Sequence, residues 1–262
     1  MTLDASQIAR AADILAAARG GAELVDDLPA DCRPDDLADA EAIQEALNAH
    51  LGGAVAGYKL GFTAPAAKQL PGYAGPMLGR LFAERILASP ATIARADIVN
   101  PVIEAEIGYR MAQDLPPRDS DYGEIEVLEA VDSAVLTIEV VSASYRDIFK
   151  VAPLGLIADN GVAHSLVVGP DVIVWQGLDL AGFAVELLFD GTRVGEELSG
   201  AARCEPASAL HWAANRLAAT GSGLKAGDII TTGAAAAPAP LGDTRTVVAN
   251  FIGVGEVTID FT

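Results

Sequence analysis

The chain is poor in the residues that most often bind transition metals or crosslink a small fold. Its two cysteines, Cys32 and Cys204, lie far apart, and its three histidines, His50, His164 and His211, are scattered. That pattern excludes the usual zinc-site spacings and leaves free, buried thiols as the reading for both cysteines. Positive charge is scarce as well: 17 Lys and Arg against 36 Asp and Glu give a net charge of −19 and a pI near 4.3. A surface so acidic repels phosphate backbones, so nucleic acid is excluded as a partner. Hydrophobic residues make up 51% of the chain, yet no run approaches the roughly 18 consecutive apolar residues that cross a bilayer. The opening MTLDASQIAR has no basic flank leading into an apolar stretch, and the expectation is a cytoplasmic protein with no membrane partner. An anionic substrate would need a bound metal and a few placed Lys or Arg side chains to offset the prevailing charge.

What is present falls into two parts. Residues 1–53 read as a helical N-terminal region. Ile8, Ala11, Ala12 and Leu15 recur at helical spacing, and Leu37, Ala40, Ile43 and Leu47 do so again between Asp36 and His50. The DDLPADCRPDD stretch between them is a loop, and Gly52 and Gly53 end the second helix. From residue 54 to 262 the pattern is of short β-branched runs bounded by Gly, Pro or Asp, among them VAGYKLGF, VIEAEIGY, AVLTIEVV, VIVW, GDIITTG and GEVTIDF. Asp190-Gly191 reads as a hairpin turn. Pro206 suits the first turn of a late helix with Leu210, Ala213, Ala214 and Leu217 as its apolar stripe. The fold class is therefore α+β, dominated by a rolled, barrel-like mixed sheet.

The acidic residues carry the chemistry. In Pro101-Val-Ile-Glu-Ala-Glu-Ile-Gly-Tyr, Glu104 and Glu106 share one strand face while Ile103, Ala105 and Ile107 take the other. A Glu-x-Glu of this kind suits a solvated strand face, or a cation held between two carboxylates that would otherwise repel. Glu139, in Leu136-Thr-Ile-Glu-Val-Val, is a lone acid in an apolar run, where an unpaired charge is costly. Carboxylates without imidazole favour a hard ion, Mg²⁺ or Mn²⁺. Lys59 lies in a Gly-bounded strand, either on its surface face or as a cation turned toward a substrate. There, desolvation and a metal's charge would lower its pKa toward neutrality. Thr231, Thr232 and Gly233 end a strand, where hydroxyls and a close backbone N–H suit a carboxylate or simply a turn.

These elements, in this order, resemble the fumarylacetoacetate hydrolase superfamily, and within it the branch of 2-hydroxypenta-2,4-dienoate (2-keto-4-pentenoate) hydratases and 4-oxalocrotonate decarboxylases. The resemblance rests on Gly57-Tyr-Lys-Leu-Gly-Phe-Thr, Gly79-Arg-Leu-Phe-Ala-Glu, the two glutamate strands, Ala158-Asp-Asn-Gly and Leu224-Lys-Ala-Gly-Asp-Ile-Ile-Thr-Thr-Gly. It implies a homo-oligomer with Glu104, Glu106 and Glu139 as metal ligands and Lys59 and Glu84 as catalytic groups. Substrate contacts are implied at Gly61, Asp159, Asn160, Thr232 and Gly233. The implied activity is a lyase of aromatic-compound catabolism acting on a small 2-oxo or 2-hydroxy-dienoic acid, by hydration or, alternatively, by decarboxylation of a 2-oxo-3-enedioate. Glu84 stands where hydratases of the branch carry aspartate, unless it simply pairs with Arg80 or Arg85. Gly161-Val162-Ala163-His164 lacks the branch's serine, and His164 either replaces it or packs at a strand start. These departures keep open a third reading, a non-catalytic partner of a homologous subunit. No histidine lies between Ala64 and Asn100, which counts against C–C hydrolysis through the superfamily's His–Glu pair.

Overall fold

The computed structural model describes residues 2–262. Helix α1 (Ala5–Arg19) starts at Asp4, whose carboxylate accepts from the Ser6 and Gln7 backbone N–H groups while the Gln7 side chain accepts from the Asp4 N–H. This reciprocal cap satisfies donors that would otherwise be orphaned. Helix α2 (Leu37–Leu51) is capped by Asp36 and stops at Gly52, at φ 67°. Both present the expected apolar faces, with Ala11, Ala12, Leu15, Ala40, Ile43 and Leu47 fully buried. They do not stand apart from the rest: their side chains share a core with Val141, Tyr145 and Leu156.

The larger of two sheets holds β1 (Val55–Gly61), β2 (Met77–Phe82), β3 (Ile86–Ala88), β5 (Val102–Met111), β6 (Val131–Val141), β7 (Ala163–Val172) and β10 (Ile229–Ala234), with the short β11 (Ala239–Pro240) on β5. Its order is β2-β1-β10-β5-β6-β7-β3. The β1/β10 and β3/β7 pairs are parallel and the others antiparallel, which makes the sheet mixed. It curls over a second sheet, β4-β13-β12-β8-β9, built from β4 (Ala91–Ile93), β8 (Val185–Phe189), β9 (Thr192–Val194), β12 (Thr246–Phe251) and β13 (Gly255–Phe261). Core side chains of both sheets, with those of α5 (Pro206–Ala219), form one continuous apolar cluster. Asp190 and Gly191 turn the β8/β9 hairpin with both φ values positive, 47° and 78°, as such a two-residue turn requires.

Two readings change. The VIVW run is not a strand of its own: β7 ends at Val172, and the chain bends away with Ile173 and Val174 exposed. A second concerns elements the pattern did not show: the three-residue β3 and β4, together with helices α3 (Glu124–Glu129) and α4 (Pro153–Ala158), carry too few residues to show a period. Among the described residues no helix is long and apolar enough to cross a membrane.

His164 packs at the start of β7. Its Nδ1 lies 2.8 Å from Ser165 Oγ and its Nε2 3.0 Å from the Asp97 carbonyl. Burial, aided by Arg85 and Arg19, pushes its pKa down to about 4. A histidine held neutral in the fold but ordinary when unfolded takes up its proton preferentially in the unfolded state. Its contribution is complete above about pH 6.5 and is lost as pH falls toward 4. The expected outcome is that His164→Gln flattens the fall of melting temperature across that window by a few degrees relative to the parent. Parallel melting curves for the two proteins would contradict it.

Candidate active site

The strand alternation of β5 is realised: Ile103, Ala105 and Ile107 enter the core, and Glu104 and Glu106 point together to the opposite face. β6 runs antiparallel beside it with Glu139 directly across from Glu104. Pairing at that register puts the three side chains on one face, and one carboxylate oxygen from each lies within 4.8 Å of the others. Glu106 and Glu139 are fully buried, whereas Glu104 is half-buried and reaches a cavity.

Lys59 brings the one ammonium into this group. It projects from β1, is only 1% exposed, and places Nζ 3.1 Å from Glu139 Oε1. Its stem is threaded between two glycines: a Cβ on Gly79 would come within 3.1 Å of Lys59 Cγ, and one on Gly161 within 3.3 Å of Lys59 Cδ. Gly161 also has φ 60°, so glycine suits it on both counts. Burial alone would lower the Lys59 pKa, but the charges of Glu139, Glu104 and Glu106 outweigh it and raise it to about 12. Without a cation among them, the surrounding carboxylates hold the ammonium charged; a divalent ion bound there would act against that hold. The same burial pushes Glu106 and Glu139 up, with the neighbouring glutamates adding to it.

One ammonium does not balance three carboxylates. Glu106 Oε2 accepts from the Gly233 N–H at 2.9 Å. Glu106 Oε1 and Glu139 Oε2 are buried with no hydrogen-bond donor among the described residues. Buried acceptors left this way are costly. Orphaned oxygens turned toward a shared point, with only oxygen donors present, fit a hard divalent cation. Glu104, Glu106 and Glu139 are the residues that could hold it.

The cluster closes one end of a cavity of about 650 Å³. Lys59, Gly61, Glu104 and Gly233 line it. Thr232 stands just behind, its hydroxyl donating to the Ile107 carbonyl at 2.6 Å and its own carbonyl accepting from Thr63 Oγ1 at 2.7 Å. That hydroxyl is occupied by backbone, so Thr232 shapes the wall while Gly233 faces the space. A smaller groove of about 300 Å³ between α2 and α5 holds none of the candidates, and its Arg80 and Arg216 are paired with Glu45 and Glu41.

Three candidates lie elsewhere. Glu84 is exposed on a short turn after β2, with its carboxylate beside Gly53. Asp159 is fully buried, but its carboxylate accepts from Arg19 Nε at 2.7 Å, the Ser144 N–H at 2.8 Å and Ser144 Oγ at 2.9 Å. The Asn160 amide clamps the backbone of Arg80, donating to its carbonyl at 3.0 Å and accepting from its N–H at 2.8 Å. None of the three lines the cavity. Asp159 and Asn160 instead fix the turn that holds Gly161 against Lys59. Sequence reasoning missed Arg19, which reaches this turn from the end of α1, and Thr63 and Cys204, which line the cavity. Thr63 stood in a quoted motif; Arg19 gave no signal, since a lysine or arginine in a helix's last turn is ordinary.

A family model described as fumarylacetoacetate (FAA) hydrolase C-terminal matches residues 59–262. A 2-keto-4-pentenoate hydratase of Burkholderia vietnamiensis (strain G4 / LMG 22486) is 30% identical over 263 residues, covering 99% of each chain. A 4-oxalocrotonate decarboxylase of Pseudomonas sp is 32% identical over 208 residues, 78% of each. The solved 4-oxalocrotonate decarboxylase from Pseudomonas putida G7, complexed with magnesium and adipate, superposes with a TM-score of 0.86 over 100% of both chains at 24% identity. The rolled mixed sheet is thus a shared fold.

Replacing Glu106 by Gln removes one of the three charges while keeping the side chain's size and its ability to accept from Gly233. Calorimetric titration with Mg²⁺ is expected to show affinity reduced by about a hundredfold, and the metal-free melting temperature should hold or rise because repulsion is relieved. Unchanged affinity would remove Glu106 from the ligand set.

Proposed function

The chain belongs to the fumarylacetoacetate hydrolase family, and from that premise we propose that it is a divalent-metal-dependent lyase hydrating a 2-hydroxy-2,4-dienoate. The observation that carries the proposal is the convergence of Glu104, Glu106, Glu139 and Lys59 at the closed end of the cavity. The metal is Mg²⁺ or Mn²⁺, with the three glutamates as its ligands. When bound, such a cation supplies electrophilic chemistry, drawing charge from the carboxylate and C2 oxygens of a 2-oxo acid.

The chain's own groups do the rest. Lys59 presents a fixed ammonium toward the substrate and stabilises negative charge developing on the C2 oxygen, as a preorganised donor does in a water-poor site. Its anchoring to Glu139 and its glycine-bounded stem leave it little freedom, so the donor need not reorganise during reaction. The Gly233 N–H is already committed to Glu106, which supports reading Gly233 as an orienter of a ligand; Gly61 lines the cavity beside Lys59. Hydration adds the water oxygen at C4 and protons at C3 and C5 while the C2 enol becomes a ketone. Glu84 lies outside the cavity in which these transfers occur.

Decarboxylation of a 2-oxo-3-enedioate develops charge on the same oxygen and is the second reading, favoured by the 32% identity to the decarboxylase relative. The non-catalytic reading loses its motives: Glu84 is remote from the cavity, and Gly161 still packs against Lys59. We place the enzyme in the cytoplasm and read it as a homo-oligomer, the oligomer being supported by exposed apolar side chains such as Ile125, Ile173 and Val174.

Turnover of 2-hydroxypenta-2,4-dienoate and of 2-oxohex-3-enedioate should be lost after EDTA treatment and return with Mg²⁺. Hydration product from the first acid supports the lead reading, and CO₂ release from the second supports the alternative. Full activity in a verified metal-free sample would refute both. For Lys59→Met, which keeps most of the stem's volume, kcat/KM should fall by about a hundredfold or more. Mg²⁺ affinity should hold or tighten as a competing cation leaves Glu139. Near-parental kinetics would remove Lys59 from the mechanism.

A further inference from the structure

Beyond the carboxylate cluster the cavity changes character. Its wall is formed by Phe62 and Leu70 from the segment after β1, Met77 at the start of β2, Ile148 and Phe149 from the segment leading into α4, and Leu156 of α4 itself. Phe149 and Leu70 are 66% and 42% exposed, so apolar surface continues to the mouth. Among the described residues, the cations lining the cavity are Lys59 and Lys150. The first is held by Glu139; the second has its side chain 82% exposed and its ammonium 2.9 Å from Asp147 Oδ2. A charged group entering this wall would lose water and gain no committed partner. The net charge of −19 adds a general repulsion for a dianion.

Volume points the same way. Cavities of about 300–1,000 Å³ enclose ligands of drug size, and this one, at about 650 Å³, is far larger than a five-carbon acid needs. We propose that the cavity selects a 2-oxo monoacid carrying a bulky, uncharged apolar tail, alkyl or aryl, and discriminates against a second carboxylate. This rests on the lyase reading above, since the cluster must hold the 2-oxo acid end. It sets this chain apart from the structural neighbour complexed with the dicarboxylate adipate.

The test is binding rather than turnover. Calorimetry on the Mg²⁺-loaded protein would compare three 2-oxo acids: 2-oxobutanoate, 2-oxo-5-phenylpentanoate and 2-oxoadipate. The phenyl-tailed acid is expected to bind at least about tenfold more tightly than 2-oxobutanoate, because its tail leaves water for an apolar wall. 2-Oxoadipate should bind no more tightly than 2-oxobutanoate. Phe149→Ala, at an exposed position that tolerates truncation, should narrow the phenyl-to-butanoate ratio by several-fold. Equal affinities across the series overturn the proposal. So does tight 2-oxoadipate binding, and its loss in Lys150→Met would then identify the rim lysine as the partner of the second carboxylate. Binding of Mg²⁺ with none of the 2-oxo acids would bring down the lyase reading itself, a result distinct from a reversed tail preference.

Discussion

Three carboxylates forced onto one face of two adjacent strands are the constraint around which this molecule is arranged. Glu104 and Glu139 are opposed by register, and Glu106 follows two residues along. Burying them leaves a deficit of positive charge that Lys59 only partly fills. The sheet order answers that demand. β10 separates β1 from β5, so the long lysine stem must cross from a strand that is not the carboxylates' neighbour. It manages this because Gly79 and Gly161 leave room along its length. A side chain at either position would displace the stem or the turn beside it.

The parts of this arrangement that depend on period two were legible in the sequence. Alternation in Ile103-Glu104-Ala105-Glu106-Ile107 fixed which residues share a face, and the isolation of Glu139 in an apolar run marked it as paired with something. The helices were legible for the matching reason at period 3.6, down to the α5 stripe of Leu210, Ala213, Ala214 and Leu217. What pattern does not carry is the direction in which a loop side chain points. Asp159 and Asn160 stand in a family-like motif, and proximity to a site was read as contact with substrate. Their side chains turn instead to Arg19, Ser144 and the Arg80 backbone. Glu84 fails in the same way, one short turn beyond β2. The apolar wall was hidden because it comes from segments with no period, one with Phe62 at φ 56° and one leading into a six-residue helix.

The two halves of the cavity divide the work between them. The cluster end is defined by charge and, under the proposed function, recognises what all 2-oxo acids share. The outer end is defined by absence of charge and can vary with little disturbance of the sheet, since all of its wall residues but Met77 sit outside the sheet. Related enzymes with different names can therefore share one sheet.

Arg19 has a reach that outlasts its helix. It closes α1, yet its guanidinium binds the Asp159 carboxylate, the Asp159 carbonyl and the Ala163 carbonyl, 140 and more residues away. The family model's match begins at residue 59, but the turn that seats the Lys59 stem is stitched to the chain's first helix. The stretch that the family model matches and the stretch that must fold as a unit are thus not the same. An excised 59–262 fragment would keep every group named in the chemistry and lose the clasp that keeps one of them in line.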